Sequence, residues 1–166
     1  MTHDLALLGR VALGAALGFA VGWEREVRGM PAGDRTFSLV SSGAAAFTVL
    51  GVDAFPSTAE KVIAGIVTGV GFIGAGLVLH TGSGEPRGLT TAAAVWATSA
   101  AGVLAGAGRL FLASALTVLI IVALEFRRIP VLRLLDARRY AGRIAGDTDP
   151  PSRHGHDPPD PTDRSG

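Results

Sequence analysis

Residues 62–79 read VIAGIVTGVGFIGAGLVL, eighteen positions without a charged side chain. A helix crossing the hydrocarbon core of a bilayer needs about 20 mostly apolar residues, with a range of about 17 to 25. This run therefore reads as a transmembrane helix. Its glycines and alanines suit the close approach of helices in lipid better than a soluble core filled with large side chains.

Working outward from it, four more stretches have the length and apolarity to span: 5–23, 37–55, 89–107 and 109–126. The intervening segments carry breakers. Gly29, Pro31 and Gly33 follow the first span, and Pro56 and Ser57 follow the second. Residues 81–88 form a Gly- and Pro-containing loop, while only residues 106–108 separate the fourth and fifth spans, which predicts a tight antiparallel hairpin. The expected architecture is all-α, a polytopic transmembrane bundle of about five spans.

Orientation follows from the basic residues flanking the spans. Arg25, Arg28 and Arg35 lie in the first connection and Arg87 in the third, and six arginines fall between 127 and 143. The opposite side holds Lys61, with Arg10 and Arg109 at or near span ends. This pattern places the N-terminus outside and the C-terminus in the cytoplasm. The opening MTHDLALLGR lacks a clear basic leader region, so its apolar continuation is read as a span rather than a cleaved signal.

Composition agrees. Of 166 residues 48% are hydrophobic and 17% charged, against about 25% charged in ordinary soluble domains. The net charge of +1 hides a segregation of charge toward the C-terminal end. Three regions are expected: a transmembrane domain over 1–126, a basic juxtamembrane segment over 127–145, and a disordered Asp-, Pro- and Gly-rich tail over 146–166. Val131, Leu132, Leu134 and Leu135 among arginines suggest an interfacial helix, attracted to anionic lipid by about 1 kcal/mol per basic residue. The chain has no cysteine, which removes thiol chemistry and Cys-based metal sites. His154, His156 and Asp157 read as a solvated tail, and neither a metal site nor a cofactor is expected.

Gly14, Gly18 and Gly22 line one stripe of the first span. Gly65 and Gly69 repeat the spacing in the third, and Gly102 and Gly106 in the fourth. Such stripes let two backbones meet; packing within the chain and contacts between copies are both open at this point. In the third span Gly69, Gly71, Gly74 and Gly76 surround the helix. It is either central and touched on all sides or broken to expose backbone to an ion or solute. Without a proline there, the central position is favoured.

A polar cluster is expected at the cytoplasmic face. Glu24 and Arg28 are i, i+4 partners with Arg25 beside them. Asp34, Arg35 and Thr36 open the second span, Arg87 lies in the third loop, and Thr90, Thr91 and Trp96 belong to the start of the fourth. Thr90 is the expected N-cap there. The cluster reads equally as a binding site for a cation, a phosphate or a partner, and as a charge belt tethering loops. No catalytic constellation, phosphate-binding Gly-rich loop or nucleic-acid signature is apparent.

The ordered motifs GWERE at 22–26, AGDRT at 32–36, GVGFIGAG at 69–76, GLTTAA at 88–93 with Trp96, and GAG at 106–108 resemble the MgtC/SapB family of bacterial inner-membrane proteins. The resemblance covers about residues 5–125. It implies a helical domain in the cytoplasmic membrane, a link to growth at low magnesium and to survival inside macrophages, and no accepted role in direct magnesium transport. In the best-studied branch it implies restraint of the F-type ATP synthase, which makes that enzyme a candidate partner beside membrane lipids and a second copy of the chain. The family's polar positions correspond to Glu24, Arg25, Arg35, Thr36, Thr90, Thr91 and Trp96. Two departures stand out. Asp34 replaces an apolar residue of the family pattern, and no ACT-like C-terminal domain follows the spans, which points to a short SapB-like member. The expected function is a non-enzymatic regulator acting through membrane-protein partners. The alternative is a small ion or solute transporter with the third span lining the path.

Overall fold

The computed structural model describes residues 1–79 and 88–126. They form five helices: α1 Thr2–Val27, α2 Asp34–Ala54, α3 Ala59–Leu79, α4 Leu89–Gly106 and α5 Leu110–Glu125, with a 3-10 turn at Pro56–Thr58 leading into α3. Arg87, the basic segment 127–145 and the tail 146–166 lie outside the described residues.

Four of these helices have the length and apolarity to cross a membrane. The fifth, α5, has 16 residues, or about 24 Å of rise at 1.5 Å per residue. The outward surface suits lipid. Phe111 is 83% exposed, Phe72 76% and Leu39 72%; apolar exposure on this scale in water would mark an aggregation site.

The centre of the bundle is a triad of α1, α2 and α4, each packed against the other two. A Cβ added at Gly14 of α1 would lie 2.9 Å from the Ala45 Cβ, and one at Gly22 would lie 2.5 Å from the Asp34 Cα. A Cβ at Gly18 would strike the Phe37 carbonyl. As α1 runs from 14 to 22 its contacts run back from 45 to 34, so the pair is antiparallel. On α4, a Cβ at Gly102 would strike the Ser41 carbonyl and one at Gly106 the Ala45 carbonyl. Here both numbers rise together, so α2 and α4 are parallel. That is the relation required of two spans separated by one intervening crossing. The two glycine stripes thus converge on the same stretch of α2, around Ser41 and Ala45, within a single chain. They let backbone meet backbone where dispersion contact, rather than a hydrophobic force, holds spans together.

The buried set reflects this closeness. Val21, Phe37, Ala45, Val95, Ala101 and Ala105 have no exposed surface, and only one of the six is large. The buried hydroxyls of Thr48 and Thr117 donate to the carbonyls of Ala44 and Ala113 at 2.8 and 2.9 Å, each one turn back in its own helix. Such bonds satisfy a polar group without asking for a partner across the interface.

The expected central position of the third span is overturned. A Cβ built at Gly65, Gly69, Gly71 or Gly76 would meet nothing within 4 Å, and Gly74 comes near only Ala92. Nor is the helix broken: α3 runs continuously from Ala59 to Leu79. It is a peripheral helix that buries Ile66 and Val70 on its inner side. Near its start, Val62 packs on Gly51 of α2, where a Cβ would find it at 3.2 Å. Near its finish, Gly74 faces Ala92, and the Leu77 carbonyl lies 2.9 Å from the Cβ position of Gly88. Beside these contacts α2 and α3 leave an apolar groove of about 660 Å³.

Candidate functional site

The site is built where α1 overruns the membrane. The helix continues one turn past Trp23, to Val27, and stops in a Schellman turn. The Gly29 amide donates to the Glu26 carbonyl at 2.9 Å and the Met30 amide to the Arg25 carbonyl at 3.1 Å. Gly29 takes the left-handed conformation, φ +64°, that this ending demands and that glycine adopts without steric cost. The extra turn carries Glu24, Arg25, Glu26 and Arg28.

Glu24 sits between two guanidinium groups. Arg25 donates to it twice, Nε to Oε2 at 2.6 Å and Nη2 to Oε1 at 3.0 Å. Arg28 pairs with its other face and also with Glu125 at the end of α5. The side chains of Arg25 and Glu24 are 5% and 10% exposed, those of Arg28 and Glu125 18% and 26%. This is a two-plus-two network, formally neutral, that closes one end of the bundle and ties α1 to α5. In so sheltered a place each charge depends on its partner, because an unpaired buried ion costs several kcal/mol, on the order of 3 to 5. The Glu24–Arg28 pairing is the one the i, i+4 spacing predicts; Glu125, 97 positions beyond Arg28, is not visible from sequence spacing.

A second polar site lies at the start of α2. Gly33 is the N-cap residue. The Glu26 carboxylate accepts from the Asp34 amide at 3.3 Å, and the Asp34 carboxylate accepts from the Arg35 amide at 2.6 Å. Two anions thus sit on the free N–H groups of the helix start, where the helix dipole favours them. A side chain at 33 would collide with the Glu26 carboxylate, so glycine there makes room for it. With Arg35 and Thr36, these residues line a polar pocket of about 360 Å³. Asp34, the departure from the family pattern, acts in this fold as a cap. The Arg35 guanidinium is exposed and makes no ion pair among the described residues.

The remaining expected members disperse. Thr91 is buried in α4 at 3% exposure, whereas Trp96 is half exposed on the outside of the bundle, and Thr90 is exposed. Thr90 is not the N-cap. That position belongs to Gly88, in the left-handed conformation at φ +85°, and the Ala92 amide bonds to its carbonyl at 2.8 Å. The helix begins at Leu89, so Thr90 already lies in its first turn, and the cap position passes so close to the Leu77 carbonyl, 2.9 Å from its Cβ position, that it takes glycine. One expected cluster is therefore two adjoining polar sites, with Glu26 and Glu125 added to it.

The opposite end is held by different pairs. Arg10 of α1 reaches the Gly106 carbonyl at 3.4 Å, and its guanidinium lies beside the α4–α5 turn, with Gly108 at φ +76°. A cation there faces the negative end of the α4 dipole. His3 and Asp53 meet at 2.8 Å and join the start of α1 to the end of α2. Among the described residues there is no group of three or more His, Asp or Glu able to hold a metal ion.

A bundle of apolar, glycine-packed helices with charge confined to its ends defines a multi-pass membrane protein. The MgtC family pattern matches residues 11–130, and the chain belongs to that family. It is 40% identical to Protein MgtC of Brucella abortus (strain 2308) over 137 residues, covering 82% of this chain and 56% of that protein. It is 40% identical to Protein MgtC of Salmonella typhimurium (strain 14028s / SGSC 2262) over 121 residues, 73% of this chain and 50% of that one. An uncharacterized protein of Haemophilus influenzae is 32% identical over 131 residues, 73% and 55% of the two chains. The chain thus spans about half the length of the curated relatives it matches. No solved structure matches it.

Proposed function

We propose that this protein is a non-enzymatic regulator of the bacterial cytoplasmic membrane, acting by binding other membrane proteins during adaptation to low magnesium or survival inside host cells. The observation that carries this reading is the closed charge network of Glu24, Arg25, Arg28 and Glu125. Its four charges answer one another, which is the arrangement of a part that holds a shape, not of a group poised to take up an ion or a proton. The shape so held presents the lipid-facing surfaces of the bundle to a partner. Transport has less to build on, because α3 is unbroken and peripheral and the groove beside it is apolar.

The test combines growth and capture. In a strain lacking the gene, Glu24→Gln should insert normally and fail to restore growth at low magnesium. Crosslinking in native membranes should join the wild-type protein, and not the variant, to subunits of the F-type ATP synthase or to another defined membrane protein. Full complementation by Glu24→Gln, or recovery of no membrane protein above background, contradicts the reading. Robust cation flux into vesicles holding the purified protein would replace it with transport.

A further inference from the structure

The groove between α2 and α3 has a particular shape and a particular neighbour. The two helices touch where Val62 meets Gly51, and the groove extends from there toward the end at which α2 begins. Leu39, Val40, Gly43, Ala44 and Phe47 form its α2 wall, and Gly65, Gly69 and Ile73 are among the residues of its α3 wall. On α2, Leu39, Gly43 and Phe47 lie four residues apart along the helix surface. One turn before Leu39 in the same register stands Arg35, which lines the adjoining polar pocket at the α2 start. Helical side chains lean toward the N-terminus of their helix, which for Arg35 is outward from the bilayer toward the headgroups.

We infer that this groove is a phospholipid site, with an acyl chain lying between α2 and α3 and an anionic phosphate headgroup held by Arg35. The medium beside a spanning helix is acyl chain, and a Cβ at Gly43, Gly65 or Gly69 would meet nothing within 4 Å. The charge one turn beyond the groove selects the headgroup. Guanidinium matches phosphate oxygens in a bidentate fork, and Arg35 is exposed and makes no ion pair among the described residues. The nearby carboxylates of Glu26 and Asp34 accept instead from the amides of Asp34 and Arg35 at the α2 start. By the distribution of arginines, the lipid belongs to the cytoplasmic leaflet.

The experiment uses the full chain in nanodiscs containing phosphatidylglycerol or phosphatidylcholine with a photoreactive group on the acyl chain, and labelled positions are mapped by mass spectrometry. Labelling should concentrate on the groove walls with phosphatidylglycerol. It should exceed labelling at Phe111, an exposed residue of α5 that serves as the reference for bulk lipid. Arg35→Ala should lower groove labelling by phosphatidylglycerol about tenfold, the effect of losing one charge-assisted contact, and leave phosphatidylcholine labelling unchanged. Gly43→Leu, whose Cβ would meet nothing within 4 Å and whose side chain would project into the groove space, should lower both. Groove labelling no greater than at Phe111, or equal for the two lipids, would overturn the assignment. So would a disulfide between two copies formed efficiently by Gly65→Cys, which would show a second protein helix in the slot.

Discussion

At the scale of single residues, glycine carries two meanings in this chain. Gly14, Gly18, Gly22, Gly102 and Gly106 are places where another backbone already occupies the space of a side chain. Gly65, Gly69 and Gly71 are places where nothing does. The two kinds answer differently to the same small change. Gly102→Ala puts a methyl group on the Ser41 carbonyl and should destabilise the bundle by about 1 to 3 kcal/mol. Gly69→Ala meets nothing and should leave stability unchanged or slightly raised, since alanine is the better helix former by up to about 1 kcal/mol. Thermal unfolding of the purified protein in detergent distinguishes them, and equal losses for both would show that the open face of α3 is in fact covered.

Sequence reading was strong at this scale where a rule of spacing applied and weak where a contact was distant. The i, i+4 relation names Glu24 and Arg28 as partners before any fold is known. No such rule links Arg28 to Glu125 or turns Glu26 back onto the Asp34 amide, because both contacts depend on how the chain returns. The Thr90 expectation failed because hydroxyl residues are good caps in general, but the helix begins one residue before Thr90, with Gly88 in the left-handed conformation as its cap.

At the scale of elements, hydropathy located all five helices within a few residues. It placed α3 wrongly in the bundle because a helix lined with glycine on every side has the composition of a central helix whether or not it is one. Composition states how closely a neighbour could come, and the contacts of α2 and α4 decide whether one does. The least secured element is α5, whose final turn is fastened to α1 through the Arg28–Glu125 pair. Glu125→Ala should speed amide hydrogen exchange in the last turn of α5 while leaving α2 and α4 as protected as before. Uniform loosening of all helices would mean instead that the network governs the whole fold.

For the whole molecule, the decisive property is the sorting of charge to two ends. One end carries Glu24, Arg25, Arg28, Arg35 and Glu125, and the other Arg10, Asp53, Lys61 and Arg109. With Arg87 and the six arginines of 127–143 counted from the sequence, the positive-inside rule predicts that the first end faces the cytoplasm. In intact cells a cysteine at Ser57 should therefore react with a membrane-impermeant maleimide added outside, and a cysteine at Met30 should react only after the membrane is opened. The reverse pattern would invert the molecule and move the proposed lipid to the other leaflet.

The position of α2, packed against both α1 and α4, also bears on how the protein is made. As the chain leaves the ribosome, α1 and α2 can pair as soon as the second has entered the bilayer. Their other flank stays bare until α4 arrives, some fifty residues later in synthesis. During that interval α3 must step aside rather than occupy the seat next to α2. Ile66 and Val70 of α3 are buried in the finished bundle, and Gly74 can settle against Ala92 only once α4, the later-born helix, has taken its place in the centre.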